Sequence, residues 1–252
     1  MAVIRLVAVA LCLVAALCTT PAYAADPNLR GEWHLEQLNG ANPTSTPDSS
    51  GAGNDLVSEG SVAVATDGRF GNAFDFGQGG DLRRTASTSL QPQSVTLMAW
   101  VKSAIGPGDV KYIAAQGGTV DCNGGASYAL YTGASPNGNR LEFYVTTSQG
   151  LFESPRAPST IWDGQWHAVA GTYDGSSVRF YVDGVEIGTG TPASGALNYA
   201  LSTADFTVAT FPGCAGPFHF RGEVDEVRVY DRTLSAAEVT QLQNVPGPDH
   251  PN

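Results

Sequence analysis

Short runs of alternating apolar and polar residues are the clearest pattern along the chain. In residues 95–102 the apolar side chains fall on one face: Val95, Leu97, Ala99 and Val101. A period of two residues indicates a strand that buries one face. Comparable runs occupy residues 128–131, 141–146, 166–173, 178–182, 185–187, 206–209 and 222–230. The pattern therefore predicts many short strands and very little helix.

Two Asp-Gly pairs separate alternating runs in the second half of the chain. They are Asp174-Gly175 and Asp183-Gly184. Asp-Gly is favoured in two-residue hairpin turns, because both turn residues there take a positive φ. We therefore predict that residues 166–187 form a three-stranded meander.

One helix is predicted, close to the C-terminus. Ser235 and Glu238 have the spacing of a capping box, and Val239 and Leu242 follow at helical spacing before Pro246. About a dozen strands with a single helix must bury two faces, and two antiparallel sheets packed face to face achieve this. The predicted fold is all-β: a two-sheet antiparallel jelly-roll β-sandwich with one short C-terminal helix.

The N-terminal residues have the features of an export signal. Arg5 precedes an apolar run over residues 6–17, and small residues lead up to Ala24. We expect cleavage after Ala24 and a secreted, extracellular protein; the alternative is a short buried N-terminal helix. The expected organisation is a signal peptide over 1–24, one domain over 25–245 and a flexible tail over 246–252.

The charge balance limits the classes of partner. The chain has a formal net charge of −11, and removal of residues 1–24 leaves 12 basic and 24 acidic side chains. An acidic surface repels phosphate backbones and anionic lipid, so nucleic acid is not expected as a partner. No stretch after residue 25 is apolar for long enough to insert into a membrane. The same charge suits a cation such as calcium.

Cysteine usage points to one disulfide. Cys12 and Cys18 lie in the expected signal, which leaves Cys122 and Cys214. Two cysteines in an exported chain most simply form one bond. It would close a loop of about 90 residues and contribute up to about 4–5 kcal/mol in the chain-entropy model. A free thiol pair and a metal site are the alternatives.

Four segments of the chain are together similar to one known family. They are Gly31-Glu32-Trp33-His34-Leu35 with Asp48-Ser49-Ser50-Gly51 and Asn54, the run Gly68-Arg69-Phe70-Gly71-Asn72-Ala73-Phe74-Asp75-Phe76, residues 95–102, and the block formed by residues 166–175, 178–184, 220–232 and 234–235. The chain resembles the laminin-G-like family of the concanavalin A-like lectin/glucanase superfamily, in its bacterial secreted form. This implies a jelly roll over residues 25–245. The fold hosts lectins, adhesion modules and polysaccharide-cleaving enzymes, so it does not decide the function.

The catalytic motif of the superfamily's glycoside hydrolases is incomplete. Those enzymes pair carboxylates in the strand motif Glu-x-Asp-x-x-Glu. Glu223 and Asp225 fit its beginning, but Arg228 stands where the last acid is needed. On a regular strand, Glu223 and Asp225 would share one face and Glu226 would point the other way. We therefore expect no catalytic residues.

The resemblance also implies a structural calcium. Its ligands would be Asp48, Asn54 and Asp225 with backbone carbonyls, since calcium selects oxygen ligands. The alternative is that Asp48 and Asn54 cap an Asp-Ser-Ser-Gly turn, while Asp225 pairs with Arg228 or Arg69.

A sugar site needs aromatic faces with polar groups at their edges. The candidates in or beside the variable loops are Tyr112, Tyr128, Tyr131, Arg140, Tyr144, Trp162 and Phe211. The alternative is that most of them belong to the sandwich core, where we also place Trp100, Phe143 and Phe180.

The leading hypothesis is therefore an extracellular, non-catalytic recognition module that binds a glycan or polysaccharide, supported by calcium. A hydrolase or lyase of the same fold is the first alternative. An adhesion module whose partner is a protein is the second.

Overall fold

The computed structural model describes residues 26–41, 43–121, 124–134, 138–201, 203–213 and 218–246. The expected signal peptide, both cysteines of the expected disulfide, and residues 247–252 of the expected tail lie outside these ranges. Within the described residues, no helix is long and apolar enough to cross a membrane.

The first of two sheets has nine strands. With strands numbered in chain order, they are β1 (Leu29–Trp33), β4 (Ala63–Ala65), β5 (Ala73–Asp75), β7 (Val95–Lys102), β12 (His167–Tyr173), β13 (Ser177–Val182), β14 (Val185–Glu186), β15 (Thr191–Pro192) and β17 (Glu223–Tyr230). Their order is β14-β13-β12-β7-β17-β5-β4, while β1 also pairs with β17 and β15 with β13.

The second sheet has eight strands. They are β2 (Ser45–Thr46), β3 (Leu56–Glu59), β6 (Asp81–Arg84), β8 (Tyr112–Gly118), β9 (Tyr128–Thr132), β10 (Leu141–Thr147), β11 (Gly150–Glu153) and β16 (Thr203–Val208). Their order is β11-β10-β9-β8-β16-β6-β3-β2. The strand pairings of both sheets are antiparallel, as predicted.

The inner faces of the two sheets form the main hydrophobic core. Trp33 of the first sheet stacks on Phe206 of the second, with ring centroids 5.0 Å apart. Phe143 and Phe180 are fully buried in the same core, as the sequence predicts. Gly171 lets Phe143 approach β12, because a Cβ at that position would lie 2.0 Å from Cγ of the ring. The sandwich is therefore closely packed across its middle layer.

The predicted meander is present as β12, β13 and β14, beside β7. At the second turn Asp183 and Gly184 have φ values of 50° and 78°, as a two-residue hairpin requires. The first turn differs, since only Gly175 has a positive φ, of 92°. There the Asp174 carboxylate accepts the backbone N–H groups of Ser176 and Ser177, both at 2.8 Å, which favours a longer loop.

The predicted helix is α1 (Ala236–Leu242), and its capping box is formed by Ser235 and Glu238. The helix packs on the outer face of the first sheet, where a second apolar cluster contains Leu29, Met98, Ala170, Tyr181, Tyr230, Leu234, Val239 and Leu242. Part of this outer face is thus covered, and the part beyond the helix carries the site described next.

Candidate functional site

An open groove lies on the outer face of the first sheet. Its volume is about 370 Å³, and it is lined by Gly68, Arg69, Trp100, Gln165, Trp166 and Asp183. We call it the Arg69–Trp166 groove. Its walls come from the loop before β5, the strand β7, the start of β12 and the β13–β14 turn, so four separate segments meet here.

Trp100 forms the floor of the groove: it is buried, as predicted for a core residue, but it lies on the outer face of the first sheet and not in the core between the sheets. Val95, Leu97, Ala99 and Val101 take the inner face of β7, so alternation turns Trp100 outward. It is only 8% exposed because neighbours cover it. Phe70 meets its ring edge-on at 6.4 Å, and the Arg69 guanidinium lies 4.4 Å above its ring.

Asp225 fixes the loop that carries Arg69. Its fully buried carboxylate accepts the backbone N–H of Arg69 at 2.9 Å and of Phe70 at 3.1 Å. Burial, and secondly the charge of Glu226, raise the pKa of Asp225 to about 8, against the lowering effect of these N–H donors. The expected alternative, that Asp225 pairs with Arg228 or Arg69, is not what the described residues show: Asp225 binds the backbone N–H of Arg69 and not a guanidinium.

A β-bulge in β17 overturns the predicted orientation of Glu226. Glu226 has a φ of 50°, and the register with β7 shifts between Asp225 and Arg228. The extra residue lets Asp225 and Glu226 both reach the outer face, where a regular strand would separate them. Glu226 there contacts His34 and Arg228.

The Arg69 guanidinium lies over two aromatic rings. Its guanidinium lies 4.8 Å from the Phe70 centroid and 4.4 Å from that of Trp100. Its Nε is buried and has no hydrogen-bond partner among the described residues. Arg69 also forms no ion pair within the described residues. The groove therefore presents a guanidinium whose donors have no acceptor among the described residues.

The other cations near the groove are paired with carboxylates. Lys102 lies 2.8 Å from Asp67 and 3.1 Å from Glu223, with its Nζ 5.4 Å from the Trp166 ring centroid. Trp166 is anchored by an Nε1 bond of 3.1 Å to the carbonyl of Asp67. The Trp166 ring is half-buried, so part of it remains available to a ligand.

His167 belongs to the same rim. It lies 2.8 Å from Asp183 and 3.3 Å from Asp163. Partial burial acts to lower the pKa of His167, but Asp183 and then Asp163 outweigh it, so the pKa is raised. The positive charge of His167 is thus balanced locally.

The aromatic residues predicted to stack on sugar lie elsewhere. Tyr128 and Trp162 belong to the main core; Tyr128 donates its hydroxyl to the carbonyl of Leu90 at 2.9 Å. A further cluster on the outer face of the second sheet holds Tyr112, Tyr131, Tyr144 and Phe211, all buried. Arg140 is exposed and donates to the carbonyl of Ala157 at 3.2 Å.

The rings of that cluster pack on one another and not on an open surface. The rings of Tyr131 and Tyr144 meet edge-on, with their centroids 4.7 Å apart, and the ring centroids of Tyr112 and Phe211 are 4.9 Å apart. Their faces are therefore engaged within the protein. The groove residues Arg69, Gln165, Trp166 and Asp183 were not predicted, although the outward position of Trp100 in an alternating strand was a usable signal.

Two of the predicted calcium ligands, Asp48 and Asn54, share a hydrogen bond, whereas Asp225 belongs to a different set of contacts. Asp48 accepts the backbone N–H groups of Glu32, Ser50 and Asn54 at 3.0, 2.9 and 2.8 Å. The buried Asn54 amide donates to the carbonyl of Arg30 at 2.6 Å. Asp225 instead binds the Arg69 loop. Asp48 therefore caps the Asp-Ser-Ser-Gly turn, as the alternative to calcium binding expects.

A buried charge network lies beside the C-terminal helix. Among the described residues, Glu32, His34 and Glu226 have ligand atoms within 4.8 Å of one another. Arg228 already supplies the cation, at 2.8 Å from Glu32 and 2.5 Å from Glu226. It also donates to the carbonyls of Leu242 and Val245, each at 3.1 Å. This network ties the helix end to the sheet.

The second sheet carries a further charged pair, Glu142 and Arg156, which is a candidate for an enzyme site. Burial raises the pKa of Glu142 to about 7, with Arg156 2.7 Å away opposing the shift. Such a perturbed carboxyl is a functional candidate in an open cleft. The Glu142 side chain is fully buried, and Arg156 also pairs with Glu153 at 2.5 Å. The geometry is that of an internal ion pair.

The family is shown by a match of a laminin-G-type family model, described as the concanavalin A-like lectin/glucanase superfamily, to residues 76–240. The chain belongs to this superfamily. The resemblance and the sandwich fold predicted from the sequence are confirmed. The comparison with curated proteins gave no match to this chain.

Solved structures with a similar fold include binding domains. Domain 4 of AbnA, a GH43 extracellular arabinanase from Geobacillus stearothermophilus, in complex with arabinotriose, has a TM-score of 0.60 and 20% identity over 86% of this chain and 98% of that one. The binding domain of Paraclostridial mosquitocidal protein 1 has a TM-score of 0.60 and 13% identity over 86% and 52%.

The binding domain of botulinum neurotoxin DC, in complex with rat synaptotagmin II, has a TM-score of 0.60 and 11% identity over 88% of this chain and 52% of that one. The present chain thus spans about half the length of these two binding-domain structures. At these identities the likeness concerns the fold alone.

Proposed function

We propose that this superfamily domain is an extracellular, non-catalytic recognition module that binds carbohydrate in the Arg69–Trp166 groove. The observation that carries the proposal is the composition of the groove: the half-buried indole ring of Trp166 with a guanidinium, an amide and a carboxylate, above a floor formed by the covered indole of Trp100. Aromatic faces accept the C–H surface of a sugar, and convergent polar groups fix its hydroxyls. Because Asp225 and the indoles hold the Arg69 loop in place, the site is formed before a ligand arrives.

Similar folds support the binding role in a general way. One similar structure is a domain of an arabinanase with bound arabinotriose, and two others are named as binding domains. The incomplete catalytic motif and the internal pairing of Glu142 point in the same direction. Secretion through the N-terminal signal, the Cys122–Cys214 disulfide and a supporting calcium remain part of the proposal.

The proposal is tested with soluble and insoluble polysaccharides, where bound protein and new reducing ends are measured in the same tubes. We expect retention without product. Trp166→Ala should weaken binding at least about tenfold, the equivalent of roughly 1.4 kcal/mol. Leu151→Ala, at an exposed site of the second sheet, is the control and should bind normally.

Each other outcome points to a different function. New reducing ends would refute the non-catalytic assignment and favour a hydrolase or lyase. Failure to retain any polysaccharide would favour a protein partner. A parallel series with chelator tests calcium, since loss of retention would place the cation in the binding mechanism.

A further inference from the structure

Of the cations in the groove, Arg69 is distinguished by its lack of a partner. Lys102 contacts Asp67 and Glu223, and His167 contacts Asp183 and Asp163. In the part of the chain that the structure describes, the Arg69 guanidinium has neither an ion pair nor a hydrogen bond from its buried Nε. The terminal N–H groups of the guanidinium, which line the groove, are therefore the donors that remain for an incoming acceptor.

The position of Arg69 is also fixed before binding. Its guanidinium carbon lies 4.4 Å from the Trp100 ring centroid and 4.8 Å from that of Phe70, and its backbone N–H donates to Asp225 at 2.9 Å. Ordering a free arginine side chain would cost entropy on binding, and this arrangement removes much of that cost. The planar fork of N–H donors matches the two oxygens of a carboxylate.

We infer that the groove recognises an acidic sugar, with Arg69 donating to the carboxylate of a uronic acid residue while Trp166 packs against its ring. This inference rests on the proposed carbohydrate-binding function and names its ligand class. The other charged groups of the groove are compatible with an anionic ligand, because the carboxylates around it are already paired with Lys102 or His167. The chain as a whole carries a net charge of −11, so a specific cation is needed where an anionic ligand is to be held.

The test compares uronate oligosaccharides with their neutral esters by calorimetry. The probes are trimers of galacturonate and of mannuronate, each beside its methyl ester, which keeps the ring and removes the charge. We expect the acid to bind at least about tenfold more tightly than the ester, since a charge-assisted bond is roughly twice as strong as a neutral one.

Two substitutions locate the preference. Arg69→Gln should remove it: acid binding should weaken at least about tenfold more than ester binding does, so that the variant binds the two probes about equally. Arg69→Lys keeps the charge without the fork and should lie between the two. The fold should survive both changes, because Asp225 bonds the backbone of residue 69 and not its side chain. Arg179→Gln removes a surface arginine paired with Glu186 and is the control.

The outcomes separate this inference from the proposed function. Equal binding of acid and ester, or Trp166-dependent binding of neutral glycans alone, would overturn the inference and leave the carbohydrate-binding function standing. An acid preference that persists in Arg69→Gln would also overturn it. Absence of binding to every glycan would overturn both.

Discussion

Replacing Arg228 with methionine tests the buried charge network most directly. Arg228 is 3% exposed, with Glu32 and Glu226 at 2% each. The substitution leaves two buried carboxylates without Arg228, and His34, 2.8 Å from Glu226, is then the basic group beside them. It also removes the donors to the carbonyls of Leu242 and Val245 at the end of α1.

The expected loss is large. Removing one partner of a buried ion pair costs about 3–5 kcal/mol, because the remaining charge stays buried. The total stability of a domain is about 5–15 kcal/mol, so Arg228→Met should remove a substantial fraction of it. The same chemical change at the partly exposed Arg179, which pairs with Glu186, should cost under about 1 kcal/mol.

The assay is urea unfolding of wild type, Arg228→Met and Arg179→Met at pH 7 and pH 5. The cost of Arg228→Met should be smaller at pH 5, since a lower pH favours the cationic form of His34, which lies 2.8 Å from Glu226. Adding Glu32→Gln and Glu226→Gln should recover part of the stability. If Arg228→Met instead stays within about 1 kcal/mol of wild type at both pH values, the network contributes no more than an exposed ion pair does.

Two further predictions concern the same sandwich. Burial acts to lower the pKa of His34, but hydrogen-bonded Glu226 outweighs it and raises the pKa above 6.5. The contribution of His34 to the free energy of unfolding is therefore complete at lower pH and lost as pH rises through the folded pKa. In urea titrations, the free energy of unfolding should fall between pH 6 and pH 9 by less in His34→Gln than in wild type. An equal fall in the two proteins would contradict this prediction. Gly171→Ala should cost at least about 1–3 kcal/mol through overpacking against Phe143; an unchanged denaturation midpoint would show that the core can adjust.

The sequence predicts best where a strand has one covered and one open face. Residues 95–102 and the 166–187 meander alternate clearly, and both were located correctly. The strand β8 was missed because all seven of its residues are buried, so no alternation is present. The strands β2 to β6 have two to four residues each, too few to display a period.

The candidate site was harder to predict because long-range contacts assemble it. Arg69 is placed by Asp225, 156 residues further along the chain. The bulge at Glu226, which frees Asp225 for this contact, has no local signature such as glycine. The aromatic residues chosen from loop positions turned out to be packed inside, since an aromatic residue next to a variable loop serves the core equally well.

The placement of β17 has a consequence for how the chain reaches its native state. Although β17 is the last strand of the described chain, it lies inside the first sheet, bonded to β7 on one side and to β5 and β1 on the other. During synthesis, the backbone groups of β1, β5 and β7 that pair with β17 have no partner strand until residues 223–230 leave the ribosome. Such open edges invite pairing between nascent chains. Premature termination before β17 should therefore yield an aggregating product, which makes chaperone protection and translation speed relevant to this protein.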